Sequence, residues 1–351
     1  MMSEIHTLNA MVTAVNAELT DPQRNQIIHG SQGSAARFHL YHAGLSICSQ
    51  KVRAVLAEKQ LAHTSHELVI LNSRGIYSEE LTPAENYSPN YVRLRMLAGK
   101  ELGLQFATKH TGRSSVESEG FDACVVPTLV DLENNKIIVD SMRICDYLDA
   151  EFPGPMQLIP SDQVLQKQVM EQVSIIDRFP QPALLYGFHP DDDQRPDFIQ
   201  HVMSDVYDLK IEALDALIEA NSGERELVDA YRSKISKEKA GKVLAHDVDS
   251  QYAVRKEAQE AIYTLDKQLA VYANPWICGD TFTLADLVWA INLYRTQWLG
   301  LASLWKDLPR VQQYAMRLYH RPSIWNAVIT FPSPMPASPH TADIESPQIE
   351  T

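Results

Sequence analysis

The chain of 351 residues is long enough to bury a sizeable core and to divide into two domains. Its net charge of −14 and its scattered lysines and arginines exclude the clustered positive surface that phosphate contacts need, which sets nucleic-acid binding aside. No apolar run reaches the ~18 residues of a membrane span, and the start of the chain lacks a basic stretch followed by an apolar block, so a cytoplasmic protein without membrane attachment is expected.

Residues 1–36 carry scattered polar and apolar residues ending in HGSQGSAAR and read as a flexible lead-in. FHLYH follows as a strand, Ser49–Lys59 as a helix with Val52, Val55 and Leu56 at helical spacing, and HTSHELVIL as a second strand. ENYSPNYVRL reads as a turn and short helix, and 95–120, with GK, TGRSS and ESEG, as an inserted loop. CVVPTLVDLENNKIIVDS gives two strands joined at Glu-Asn-Asn, a hairpin signal. SMRICDYLDAEF returns to a helical pattern with Ile144, Tyr147 and Leu148 on one face. The order is βαβ-(α)-ββα, a small mixed sheet with helices, closed by a proline-rich linker at Pro153–Pro160. From 161 to about 330 the apolar residues keep three-and-four spacing almost without interruption, so this second domain is all-α. The stretch 332–351 is rich in Pro and Ser, has no periodicity and reads as a disordered tail.

Four short stretches carry chemistry. In VVPTLVD, Pro127 can donate no ladder hydrogen bond. Either it lies on an edge strand, or a cis Val126–Pro127 bond turns the Val126 amide and carbonyl outward, ready to pair with a peptide-like ligand. Asp140 and Ser141 stand at the head of the Met142–Ala150 helix. A serine there caps the helix, while the same helix end receives a carboxylate and Asp140 complements an ammonium group; an α-amino acid has both charges on one carbon. Ser46 and Cys48 open the first helix, where the helix N-terminus favours a thiolate and Lys51 and Arg53 add positive charge. Cys48 is then a nucleophile and Ser46 a donor to a second thiolate; the competing reading has Ser46 as a cap and Cys48 packed in the core. GDTFTLAD is a capping box, with Thr283 as N-cap and Asp286 at the third helical position, and its role is structural. The remaining cysteines, Cys124, Cys145 and Cys278, read as ordinary buried thiols. The four cysteines together form neither a C-x-x-C pair nor a dense framework, and no metal is expected.

In this order the Ser-x-Cys helix start, VVPTL, Asp-Ser at a helix start and GDTFTLAD resemble the glutathione S-transferase superfamily. The resemblance implies an α/β plus all-α fold: an N-terminal thioredoxin-like domain over 37–152 with an insertion near 95–120, then a helical C-terminal domain over 161–330. It implies glutathione as co-substrate, with the γ-glutamyl end at Asp140 and Ser141, the cysteinyl backbone paired with Val126 beside a cis-Pro127, and the thiol at Ser46. Ser-Ile-Cys-Ser, ENYSPNYVRLR, SSVESEGFDACVVPTLVD, ALLYG and DTFTLADLVWAINLYRTQWLG are similar to the glutathione-dependent reductive dehalogenases of chlorinated hydroquinones, whereas LRMLAGKELGLQFATKH departs from them. That resemblance implies attack of a glutathione thiolate on a halogenated ring carbon, then transfer of the glutathione sulfur to Cys48 and release by a second glutathione. For the aromatic ring, Tyr186, His189, Trp289, Tyr294, Arg295 and Trp298 are candidates, because a phenol wants stacking and a polar or cationic partner. Trp289, Tyr294 and Trp298 also fit a plain core role. The alternatives are aryl-ether cleavage or conjugation with Cys48 merely packed, and a non-catalytic interaction module. Whether the chain forms the homodimer usual among its relatives is left open by the sequence.

Overall fold

The computed structural model describes residues 2–19, 21–28, 36–71, 80–113, 116–154, 157–188, 190–191, 193–271, 274–332 and 337–347. Strands β1 (Asn25–Ile28), β2 (Phe38–His42), β3 (His63–Glu67), β4 (Thr128–Asp131) and β5 (Lys136–Val139) form one sheet in the order β1-β3-β2-β4-β5. β2 and β3 run parallel, linked by helix α2 (Ile47–Glu58), while β4 and β5 form an antiparallel hairpin. The parallel pair needs a crossover and the helix supplies it. Val52, Val55 and Leu56 bury the inner face of α2 against Phe38, Leu40 and Leu129 of the sheet. Beside α2 lies α5 (Ser141–Glu151), which buries Ile144 and Leu148. Tyr147, expected on that apolar face, is partly exposed and donates to Asp131 at 2.6 Å. On the opposite face lies α3 (Pro89–Glu101). From β2 to α5 the order read from the sequence is the order found.

Three boundaries differ. The first 36 residues were expected to be flexible, but α1 (Met2–Glu18) packs Leu8, Val12 and Val15 against Tyr41, Tyr91 and Leu94. Glu18 fastens it to α3 by accepting from the Asn90 amide (2.9 Å) and side chain (2.8 Å), and β1 adds an antiparallel strand beyond β3. The apolar spacing of that helix is sparse, and only the exposed side of α3 and the sheet gives it a surface to cover. The region 95–120 is not a loop throughout. Residues 95–101 continue α3, and the short helix α4 (Val116–Glu119) ends the excursion. The tail was expected to be disordered, yet 337–347 folds back: Ser338 is buried and donates to the Trp298 carbonyl at 2.7 Å, and Ile344 joins the core.

The helical half consists of α6 (Gln163–Asp177), α7 (Gln181–Tyr186), α8 (Asp197–Ala220), α9 (Arg225–His246), α10 (Val248–Val271), α11 (Leu284–Trp298) and α12 (Pro309–Tyr319). α11 is buried all round except at Gln297, so that Asn292, Arg295 and Thr296 are buried along with the apolar residues. Its start is the predicted capping box. Asp286 accepts from Thr283 N and Oγ1 (both 2.9 Å), and also from Ile277 N (3.0 Å) and Tyr314 Oη (2.7 Å). The carboxylate therefore ties the loop before the helix to α12 as well as capping it. Among the described residues no helix is long and apolar enough to cross a membrane.

Candidate active site

The loop that leads β2 into α2 is pinned from two sides. Arg53 donates to the carbonyls of Ala43 (3.1 Å) and Gly44 (3.3 Å), and Arg295 of α11 donates to the carbonyl of Leu45. Held there, Ser46 caps α2 by accepting from Ser49 N at 3.3 Å. Its oxygen serves the helix, and its proton remains to be given to another acceptor. Cys48, in the first turn, is partly exposed. Lys51 is buried and pairs with Asp177 at 3.5 Å. Burial works against its charge, but Asp177, the Cys48 and Cys145 sulfurs and Asp140 prevail and raise its pKa. Arg53 does not share this role: its guanidinium turns back onto the 42–44 loop and the Phe331 ring, because those carbonyls need a donor.

The Val126–Pro127 bond is cis. Pro127 precedes β4, an interior strand between β2 and β5, so the edge-strand reading does not hold. Arg95 fixes this turn by donating to the Pro127 carbonyl and Thr128 Oγ1 (both 2.7 Å) and to the Asp122 carbonyl (2.9 Å). Tyr91 donates to the Val125 carbonyl at 2.9 Å. The Val126 N–H and C=O make no backbone hydrogen bond among the described residues, although Val126 is buried and lines a cavity. Buried backbone groups are rarely left unpaired, so these two are the groups that could pair with an extended ligand.

Asp140, not Ser141, is the N-cap of α5; it takes φ = 75° and accepts through Oδ1 from the amides of Met142 (3.1 Å) and Arg143 (3.2 Å). Aspartate tolerates that left-handed backbone because its side chain bonds locally. Burial raises its pKa despite those amides and Lys51. Ser141 is the first residue of the helix and is buried beside it.

Ser46, Cys48, Val126, Pro127, Asp140 and Ser141 all line one cavity of about 210 Å³. Its far wall comes from the helical half and from the region after α3. Of the candidates for the aromatic ring, Tyr186 of α7 and Arg295 line this wall, and with them stand residues that sequence reasoning missed: Gln181, Tyr207, Lys210, Lys234, Lys237 and Glu238, with His110, Glu119 and Asp122. The charges form a continuous buried network. Glu238 accepts from Lys210 (3.1 Å) and pairs with Lys234 (2.8 Å), Lys234 pairs with Asp122 (2.9 Å), and Lys237 bridges Asp122 (3.2 Å) and Glu119 (2.8 Å). Burial disfavours the carboxylates, yet Lys210 and Lys234 hold Glu238 down to about 2, and Lys234 and Lys237 hold Asp122 lower still. Burial keeps His110 neutral by pushing its pKa down to about 4, and its Nδ1 accepts from Gly112 N at 2.9 Å. The lining as a whole carries six Arg and Lys side chains against four carboxylates, so it suits an anionic or electron-rich guest inside an acidic protein. The sequence signal that could have revealed the network is Lys234–Glu238, opposite charges one turn apart beside the apolar Tyr231 and Ile235.

The other aromatic candidates do not join this wall. Trp289 is fully buried and spends its N–H on Gln172 at 3.0 Å, so it is core. Tyr294 and Trp298 line a second cleft behind the Leu45 loop, closed by the tail residues Ser338 and Thr341. His189 lies outside the described residues. Cys124 and Cys145 are buried, and burial pushes both thiols up; Cys278 is only half-buried, with its thiol pushed up to about 12 by burial. No cluster suited to a metal occurs among the described residues.

One cavity thus has a hydroxyl and a thiol at one helix start, a bare amide before a cis-proline and an Asp-Ser helix head on its sheet side, and helices on the other. Residues 45–151 match the family model of the glutathione S-transferase N-terminal domain, and residues 227–322 that of the C-terminal domain. The 2,5-dichlorohydroquinone reductive dechlorinase of Sphingobium indicum is 39% identical over 92% of this chain and 94% of its own. Human ganglioside-induced differentiation-associated protein 1-like 1 is 28% identical over 80% of this chain and 71% of its own. The tetrachloro-P-hydroquinone reductive dehalogenase of Sphingobium chlorophenolicum is 23% identical over 82% and 94%. The chain belongs to the glutathione S-transferase family.

Proposed function

We propose that this protein is a glutathione-dependent reductive dehalogenase of halogenated hydroquinones, replacing ring halogen by hydrogen. The observation that carries the reading is the pairing of Ser46 and Cys48 at the head of α2, both on a cavity whose opposite wall is aromatic and cationic. In this reading the γ-glutamyl carboxylate of glutathione takes the α5 helix head at Ser141, its ammonium group takes Asp140, and its cysteinyl backbone takes the N–H and C=O of Val126. These are complementary charges and unspent hydrogen-bonding groups. The Ser46 hydroxyl then donates to the glutathione sulfur.

The sulfur chemistry runs in three displacements. The glutathione thiolate attacks the halogen-bearing carbon of the ketonic tautomer, so a C–S bond forms and halide departs. The Cys48 thiolate attacks that sulfur, so an S–S bond forms, the C–S bond breaks and its electron pair returns to the ring as the hydroquinone. A second glutathione thiolate attacks the mixed disulfide and frees Cys48, with oxidised glutathione as product. Two glutathiones supply the two electrons that the ring gains. Serine is suited to the first step and cysteine to the second, and two-residue spacing at a helix start permits both to lie near one sulfur.

The test is an anaerobic assay of the purified chain with glutathione and 2,5-dichlorohydroquinone, following chloride, oxidised glutathione and glutathionyl aromatics. One oxidised glutathione per chloride is the expected result. Glutathionyl aromatic accumulating as the only sulfur product would make the protein a conjugating transferase, and glutathione binding without chloride would end the halogen assignment and leave aryl ethers to be tried.

A further inference from the structure

The reaction proposed above asks for more than two sulfurs. A hydroquinone ring is electron-rich, and its halogen-bearing carbon accepts a nucleophile only after that carbon has taken a proton and the neighbouring oxygen has become a carbonyl. The cavity must therefore hold a proton donor facing the ring and a cation facing the oxygen. This inference rests on the dehalogenase reading and adds to it.

The arrangement around Tyr186 fits the donor. Tyr186 is partly exposed on the cavity, and Lys210 donates to its hydroxyl oxygen at 3.4 Å while lying 4.4 Å from its ring centroid. With its oxygen already accepting from Lys210, the hydroxyl directs its own proton elsewhere. Lys210 cannot swing away, because Glu238 accepts from it at 3.1 Å and Tyr207 packs 5.4 Å beneath it. The phenolate left when Tyr186 gives up its proton would face an ammonium group in a buried setting, where such a pairing is strong. The cation for the oxygen is Arg295. It is buried on the same cavity, its donation to the Leu45 carbonyl leaves further N–H groups, and no carboxylate among the described residues forms an ion pair with it.

We propose that Tyr186 is the acid that converts the bound hydroquinone to its ketonic form, with Lys210 as its positioning residue and Arg295 holding the substrate oxygen. The step starts from the hydroquinone monoanion. The oxygen lone pair closes a C=O bond, the ring C=C pair takes the Tyr186 proton to form a C–H bond at the halogen-bearing carbon, and the O–H pair stays on Tyr186. When Cys48 later removes the sulfur, the C–S pair restores the ring and leaves a phenolate at Arg295, while Tyr186 regains a proton from solvent. The proton transfer needs no oxidant or reductant, and the two electrons of the overall reaction come from the two glutathiones. The new ring hydrogen of the product is the one Tyr186 delivered.

The identity of that hydrogen is the test. Wild type and Tyr186→Phe are compared with glutathione and 2,5-dichlorohydroquinone in equal parts H2O and D2O, reading chloride release and the H/D ratio at the new ring position. Loss of a general acid lowers the rate by about 10²-fold or more, so Tyr186→Phe should release chloride at least that much more slowly at little-changed KM, with glutathione affinity kept and the H/D ratio moved because water becomes the donor. A second variant with 3,5-difluorotyrosine at position 186, which keeps ring and hydroxyl but is more acidic, should shift the pH optimum of chloride release downward. If wild type releases chloride and Tyr186→Phe matches its rate and its H/D ratio, Tyr186 is not the acid although the dehalogenase reading stands. If wild type binds glutathione but releases no chloride, that reading fails and the tyrosine assignment fails with it.

Discussion

The two walls of the cavity are built by opposite means. The sheet-side wall presents backbone and short side chains: a helix head capped by Ser46, another capped by Asp140, and the bare Val126 amide and carbonyl. Each comes from a run of two or three consecutive residues, and each is placed by the turn it sits in. The helix-side wall presents the ends of long side chains from α7, α8, α9 and α11, and these are placed by one another through Lys210, Glu238, Lys234, Asp122, Lys237 and Glu119. A wall of the first kind suits a constant partner such as glutathione, because its hydrogen-bonding groups are part of the fold. A wall of the second kind ties substrate recognition to stability, since every charge of that network is buried beside a partner; Arg295 alone stands outside it, held by the Leu45 carbonyl.

The largest effect that would separate the walls is on turnover. Cys48→Ser removes the acceptor of the glutathione sulfur while leaving the helix cap, and it should cut oxidised-glutathione formation by about 10³-fold or more while glutathione still binds and a glutathionyl aromatic accumulates, as seen by mass spectrometry. On the other wall, Lys234→Met leaves Asp122 and Glu238 each short of a buried cation and should cost about 3–5 kcal/mol of stability, measured by thermal unfolding. If Lys234→Met melts like wild type, the network is not a structural unit and the contrast fails.

A smaller effect sharpens the same point by pH. His110 is neutral when folded, with a pKa of about 4 against 6.5 in an ordinary setting. Between those values the unfolded chain binds more protons than the folded one, so stability is full above about pH 6.5, declines as the pH falls toward 4 and is flat below that as far as this group is concerned; the loss is roughly 3 kcal/mol. His110→Gln should flatten that limb in denaturant titrations at stepped pH. The smallest effect expected is on the sheet side. Asp140→Ala removes a cap worth about 1 kcal/mol and a charged hydrogen bond worth about 1.5–3 kcal/mol, so glutathione binding by calorimetry should weaken by about tenfold to a hundredfold. A Tm shift larger than that of Lys234→Met would reverse the comparison.

The same division explains what could be read from the chain beforehand. Ser46, Cys48, Pro127, Asp140 and Asp286 stood out in sequence through capping and turn chemistry that local order dictates, whereas the reach of Asp286 to Ile277 and Tyr314 was not legible there. The mixed sheet and the all-helical second half were legible from periodicity for the same reason. Lys210, Lys234 and Glu238 were not, since a charged residue on a helix is ordinarily solvated, and only the packing of α8 on α9 beneath the region after α3 turns these inward.

The termini make the point from the other side. The residues of α1 have a weak helical pattern, and those of 337–347 have none, yet both fold onto the body because apolar and hydrogen-bonding surface awaits them at Tyr91 and at the Trp298 carbonyl. Trp289, Tyr294 and Trp298 share one helix with Arg295, but α11 is surrounded on nearly every side, so its rotation among its neighbours decides which of the four meets the ring-sized cavity, and it is Arg295. Short-range rules determined the wall that carries Ser46, Cys48, Val126 and Asp140. Long-range burial, which alone can make isolated charges into partners, decided what stands opposite.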